Sequence, residues 1–210
     1  MTAFHSLSGV RTVIGVDAGT AGLREADHLI HHLVDVLGLP SGTAACTHLI
    51  RGTDRRSTVV SLALPDAATA DAAWKRLVAL LAGPDRATAG AVLGEREHGP
   101  AGAVACAAQA AAEHERRQGG RAVVFPGVER LTSTVTVGEV LTHTAIDRIV
   151  VLGAPPDAAG PDGDAQVVTR DHVRPEWHDG QLVLTLQPAA GGMLAPFEVP
   201  NPTPCCADHS

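Results

Sequence analysis

Between residues 23 and 37, Leu23, Ala26, Ile30, Leu33, Val34 and Leu37 return at intervals of three and four, with Arg24, Asp27, His28, His31, His32 and Asp35 filling the gaps. A repeat near 3.6 residues sets the first group on one side of a helix and the second on the opposite side. Gly38 and Pro40 end it. Ahead of this segment, RTVIGVD (11–17) alternates β-branched and small residues, the pattern of a strand. Behind it, THLIRGT (47–53) and STVVSLALP (57–65) read as a hairpin whose polar tip is Asp54, Arg55 and Arg56. Asp66 then offers an N-cap to a second amphipathic helix carrying Trp74, Leu77, Val78 and Leu81, stopped by Gly83 and Pro84. A weaker apolar run, ATAGAVLGERE (87–97), predicts a fourth strand. The order over residues 9–97 is β-α-β-β-α-β, the split arrangement of a ferredoxin-like module.

From Gly99 to Gln118 the chain is rich in alanine with a charged end, and Gly119-Gly120 closes it. Alanine's helix propensity makes this a connecting helix, with a shallow stripe of Val104, Ala108 and Ala111 that packs on the first sheet. The remainder reads as β-rich. RAVVFPG, TSTVTVG, DRIVVLG, QVVTRDHV and QLVLTLQP are strand patterns, His178-Asp179-Gly180 is a turn, residues 138–143 suit a short helix, and 154–165 are built of turn formers. The expected class is α+β: a ferredoxin-like module at 1–98, a connecting helix at 99–120, and a small β-rich module at 121–210 with a proline-rich tail.

Composition narrows the function. The formal charge of −7 opposes a general nucleic-acid or anionic-membrane binder, since both partners attract basic surfaces. Three phenylalanines, two tryptophans and no tyrosine leave little for stacking on bases. The start, MTAFHSLSGVRTV, has no charged segment followed by an apolar one, and no run is long and apolar enough to span a bilayer. A cytoplasmic protein is therefore expected. Four cysteines, two of them adjacent, do not make a disulfide framework.

The string VIGVDAGTAGL (13–23) resembles the first loop of the ACT domain, a regulatory module of ferredoxin-like topology. The resemblance implies a homodimer paired edge to edge and an amino acid or similar small ligand held by Asp17, Gly22 and Leu23. Asp17 and Gly22 stand five apart where the family pattern has three, and the intervening proline is absent, so the departure falls in the ligand loop. The same string is similar to the phosphate-1 loop of sugar kinases and actin-like ATPases, which would require a second nucleotide lobe that 210 residues do not supply.

The densest chemistry is terminal. Cys205, Cys206 and His209 carry donors suited to zinc or copper, and the prolines at 196, 200, 202 and 204 stiffen their approach. Two or three ligands do not close a tetrahedral site, so completion falls to His172, with His178 and His143 as further donors. An inert solvated terminus and thiol redox chemistry stay open beside metal binding. His28, His31 and His32 read as solvated, on the face opposite the apolar stripe. His48 falls in a strand where alternation alone assigns it no side. His143 and Asp147 suit an imidazole oriented by an acid or plain surface polarity. Asp171, His172, Arg174 and Glu176 form a polar stretch on an expected strand, with Asp171 on one face and the other three opposite. The functional expectation is a binding or regulatory protein for a small ligand or transition metal. The competing class is a thiol- or metal-dependent enzyme using Cys205 or Cys206 with His172 or His209 as base.

Overall fold

The computed structural model describes residues 12–51, 56–83, 86–155 and 160–200. The first half runs β1 (Thr12–Thr20), α1 (Leu23–Leu37), β2 (Ala44–Arg51), β3 (Arg56–Leu64), α2 (Ala67–Leu81) and β4 (Gly90–Leu93). These strands lie in the order β4-β1-β3-β2, with every neighbour antiparallel. The expected fourth strand is a hairpin instead, because Gly94 takes a positive φ and turns the chain back into β5 (Arg96–His98).

Both amphipathic helices cover one face of this sheet. Leu29, Ile30, Leu33 and Leu37 of α1, with Trp74, Leu77 and Leu81 of α2, pack on Ile14, Val16, Leu62 and Leu93. Asp66 caps α2 as its sequence suggests, accepting from the Thr69 amide at 2.8 Å. The opposite face is covered by α3 (Ala101–Glu115), the alanine-rich helix. Its buried stripe includes Ala103, Ala107, Ala110, Ala111 and His114, whereas Ala108 points outward. Small residues on both partners permit an unusually close approach. A Cβ placed on Gly15 of β1 would lie 2.0 Å from the Ala107 carbonyl oxygen, and one on Gly90 would lie 2.7 Å from Ala103.

The second half continues the same sheet. It contributes β6 (Arg121–Val124), β7 (Thr134–Thr136), α4 (Val137–His143), β8 (Arg148–Val151), β9 (Gln166–Val168), β10 (Glu176–His178), β11 (Gln181–Pro188) and β12 (Leu194–Pro196). The path runs on from β2 through β6, β10, β11, β12 and β9 to β7, with β8 parallel to β11, so the architecture is mixed α and β around one mixed sheet. β6 pairs with β2 at Ala45, Cys46 and Thr47, so this part of the outer side of β2 is taken up by the chain's own second half. The hydrophobic core follows the sheet. Val13 and Cys46, beneath α3, and Ala107 of α3 itself belong to one cluster with Phe125, Ile149, Trp177, Leu182 and Leu184 of the second half.

Local signals account for several second-half elements. Asp179 and Gly180 both have positive φ, the requirement of a tight hairpin between β10 and β11. Thr136 and Glu139 form a capping box at the start of α4. The expected strand through Asp171, His172 and Arg174 is absent, because Arg170 and Asp171 turn the chain at φ of 53° and 52°. That turn ends the alternation assumed for these residues and carries His172 and Arg174 together toward α1.

Candidate functional site

The first residue of β6, Arg121, stands between β2 and β10, paired in register with Thr47 and Glu176. It therefore lies at the seam of the two halves, with a side chain only 8% exposed. A guanidinium there needs partners, because an unpaired buried cation is strongly disfavoured. Two carboxylates serve it. Asp27, on the polar side of α1, accepts from Nη1 at 2.6 Å and Nη2 at 3.1 Å. Glu198, just beyond β12, accepts from Nε at 2.6 Å and also from Nη2.

The network extends by one residue on each side. Arg174 Nε donates to Asp27 Oδ2 at 3.1 Å, and His172 Nε2 donates to Glu198 Oε1 at 3.0 Å. Burial alone would raise the pKa of Asp27 and of Glu198. Their bonds to Arg121, assisted by Arg174 and His172 respectively, outweigh it and hold both below the ordinary carboxylate range. Burial depresses Arg174, which keeps its proton because guanidinium titrates so far above neutrality.

These side chains form a wall of an open cleft of about 740 Å³ between α1 and the second half, a size suited to a small molecule. Arg24, His28 and His31 supply the helix side, and Val199 and Pro200 close one end. Among the lining residues, Arg24, Arg121 and Arg174 outnumber the carboxylates of Asp27 and Glu198, and His28, His31 and His172 stand beside them. His31, read as solvated from its place on α1, is exposed at the cleft, and its partial burial followed by the charge on Arg174 lowers its pKa.

A second polar assembly lies on the other face of the sheet, beneath α3. Glu113, whose pKa is lowered chiefly by its bond to His48, accepts from His48 Nδ1 at 3.0 Å. His48 Nε2 lies 2.8 Å from Ser61 Oγ, Ser61 Oγ lies 2.7 Å from His114 Nδ1, and His114 Nε2 lies 4.0 Å from Cys46 Sγ. A carboxylate only accepts, so neutral imidazoles allow one continuous direction: thiol to His114, His114 to Ser61, Ser61 to His48, His48 to Glu113. The composition suggests a nucleophile with its base, but the burial opposes it. Ser61 and Cys46 are fully buried, and burial pushes the Cys46 thiol up to about 12. The chain of bonds fastens α3 to β2 and β3.

The sequence-predicted residues separate into three groups. Gly22 and Leu23, at the start of α1, line a smaller cavity of about 410 Å³ with Leu49, Ile50 and Thr58. Asp17 is fully buried, and its carboxylate accepts from Ser57 Oγ and from the Gly19 amide, both at 2.9 Å. His172 joins the large cleft. Cys205, Cys206 and His209 lie outside the described residues, and among the described residues no three His, Cys, Asp or Glu side chains are grouped to hold a metal ion. Sequence reasoning did not single out Arg121, Glu198 or Asp27. The one available signal was an arginine opening an otherwise apolar strand directly after two glycines.

No protein family model, no curated protein and no solved structure matches the chain. Among the described residues no helix is long and apolar enough to cross a membrane.

Proposed function

We propose that the protein is a binding protein whose large cleft takes a small oxyanion-bearing molecule. The carrying observation is the guanidinium excess on the cleft wall in a chain of net charge −7. Arg174 supports this most directly, because it shares Asp27 with Arg121 and so has only half of one carboxylate. Residues 12–93 are read as a ferredoxin-like unit, supported by the strand order β4-β1-β3-β2 with both helices on one face.

Calorimetric titration of the full chain with succinate and with inorganic phosphate tests the reading. Arg174→Gln removes one charged hydrogen-bonding group and is expected to weaken binding by about tenfold or more. Equal binding by wild type and variant removes the cleft as the site.

One observation favours a second reading, metal binding. Pro200 lines the same cleft as His28, His31 and His172, and the sequence continues from there to Cys205, Cys206 and His209. Zinc or copper would then be shared between tail donors and cleft histidines. Elemental analysis of untagged protein should find metal in wild type and none in Cys205→Ser/Cys206→Ser. Equal metal content in the two excludes the cysteines as ligands.

A further inference from the structure

We infer that the seat which Arg121 and His172 form for the Glu198 carboxylate is the ligand's own subsite, that the ligand is a small carboxylate, and that Glu198 occupies the seat as a tethered competitor. This rests on reading the cleft as an oxyanion site.

The two acids that serve Arg121 are held differently. Asp27 projects from a helix whose opposite side is in the core, and its carboxylate is shared with Arg174. Its removal would leave Arg174 without a carboxylate and Arg121 with Glu198 alone. Glu198 lies outside any helix or strand, two residues beyond β12, and its side chain is 33% exposed against 14% for Asp27. Among the described residues the backbone on either side is held by the Phe197 amide to the Thr185 carbonyl at 3.0 Å and by Arg24 Nη2 to the Pro200 carbonyl at a long 3.5 Å. A short rotation of this strap withdraws one carboxylate and disturbs no regular element.

What the carboxylate leaves behind defines the ligand chemistry. Nε and Nη2 of Arg121 each meet a different oxygen of Glu198, the two-pronged geometry that selects a planar carboxylate. His172 Nε2 adds a third donor to one of those oxygens. With Glu198 withdrawn, all three donors converge on the wall of the cleft, and the lining there holds three guanidiniums against one carboxylate. A carboxylate from solution replaces Glu198 bond for bond and restores the same buried charge. The exchange therefore avoids the desolvation of a new ion pair, which is the main cost of burying charge. The rest of the molecule lies in the cleft against Leu23 and Val199.

Succinate and inorganic phosphate, titrated calorimetrically into the full chain at low salt, supply the test. A competitor that fills the seat in nine molecules of ten hides about tenfold in affinity. Glu198→Ala should therefore bind succinate about tenfold tighter than wild type, Glu198→Gln should gain in the same direction, and adding His172→Gln to Glu198→Ala should reduce the gain. If both single variants are folded and bind succinate no tighter than a wild type that does bind it, the competitor is overturned while the cleft reading stands. A larger gain for phosphate than for succinate overturns the carboxylate class. Failure of both variants to fold makes Glu198 a structural strut and overturns the inference too. Silence of succinate and phosphate in wild type and both single variants overturns it together with the cleft reading.

Discussion

Two guanidiniums, Arg121 and Arg174, share the carboxylate of Asp27 where little water reaches them, so this acid has more influence than its position on an outward-facing helix surface suggests. Asp27→Ala leaves Arg174 without a carboxylate and Arg121 with Glu198 alone. Removing one partner from a buried ionic group costs about 3–5 kcal/mol, measurable as a lower urea midpoint. Asp27 and Glu198 have folded-state pKa values below those of the unfolded chain. Each therefore contributes stability that is fully present above its unfolded value, roughly 4, and is lost as pH falls through the folded value. Urea midpoints should decline below about pH 4, and in Glu198→Gln that decline should be shallower, whereas His31, whose folded pKa is also lowered, already withdraws some stability as pH falls below its unfolded value of about 6.5. Little of this site was legible beforehand. Periodicity on α1 correctly placed Asp27, His28 and His31 opposite the core, yet it could not state that the second half of the chain would fold against that side. Arg121 and Glu198 are 77 residues apart, a separation across which no local pattern speaks.

Helix α3 shows how composition rather than periodicity can determine packing. Its stripe is weak because alanine hardly differs from its neighbours in hydropathy, but alanine's small size lets the helix backbone approach Gly15 and Gly90 closely. Gly15→Ala would set a methyl carbon 2.0 Å from a backbone oxygen, an overpacking that neither rigid partner relieves, and should cost about 1–3 kcal/mol or more. Gly102 lies on the exposed side of the same helix with nothing within 4 Å of an added Cβ, so Gly102→Ala should instead stabilise by roughly 0.5–1 kcal/mol. Thermal midpoints of the two variants, moving in opposite directions, check the account. The elements of the first half were legible because each has strong local punctuation: Asp66, Gly38 and the alternation of β1. The short strands β10 and β12 were not, since three residues carry no period and depend on neighbours already in place. At 170–174 an expected strand gives way to a turn, where Arg170 and Asp171 accept positive φ to deliver His172 and Arg174 to the cleft.

At the scale of the molecule, the seam along β2, β6 and β10 makes the halves mechanically one, and the core beneath α3 crosses it without interruption. Each half holds one tryptophan, Trp74 and Trp177. Fluorescence of Trp177→Phe and Trp74→Phe variants should report denaturant transitions of the same steepness, as expected of one cooperative unit; two separate slopes would indicate halves that melt independently. The covering of β2 by β6 has a further consequence for any shortened form of this chain. Stripped of β6, the edge of β2 gains unsatisfied amides and carbonyls at Ala45, Cys46 and Thr47 and is open along the whole strand to Leu49 and Arg51, an invitation to intermolecular strand addition. A fragment ending at residue 98 loses both that covering and α3 over the opposite face, and should accordingly scatter light and elongate into aggregates where the intact chain does not; one ending at residue 118, which keeps α3, isolates the part due to the bared strand.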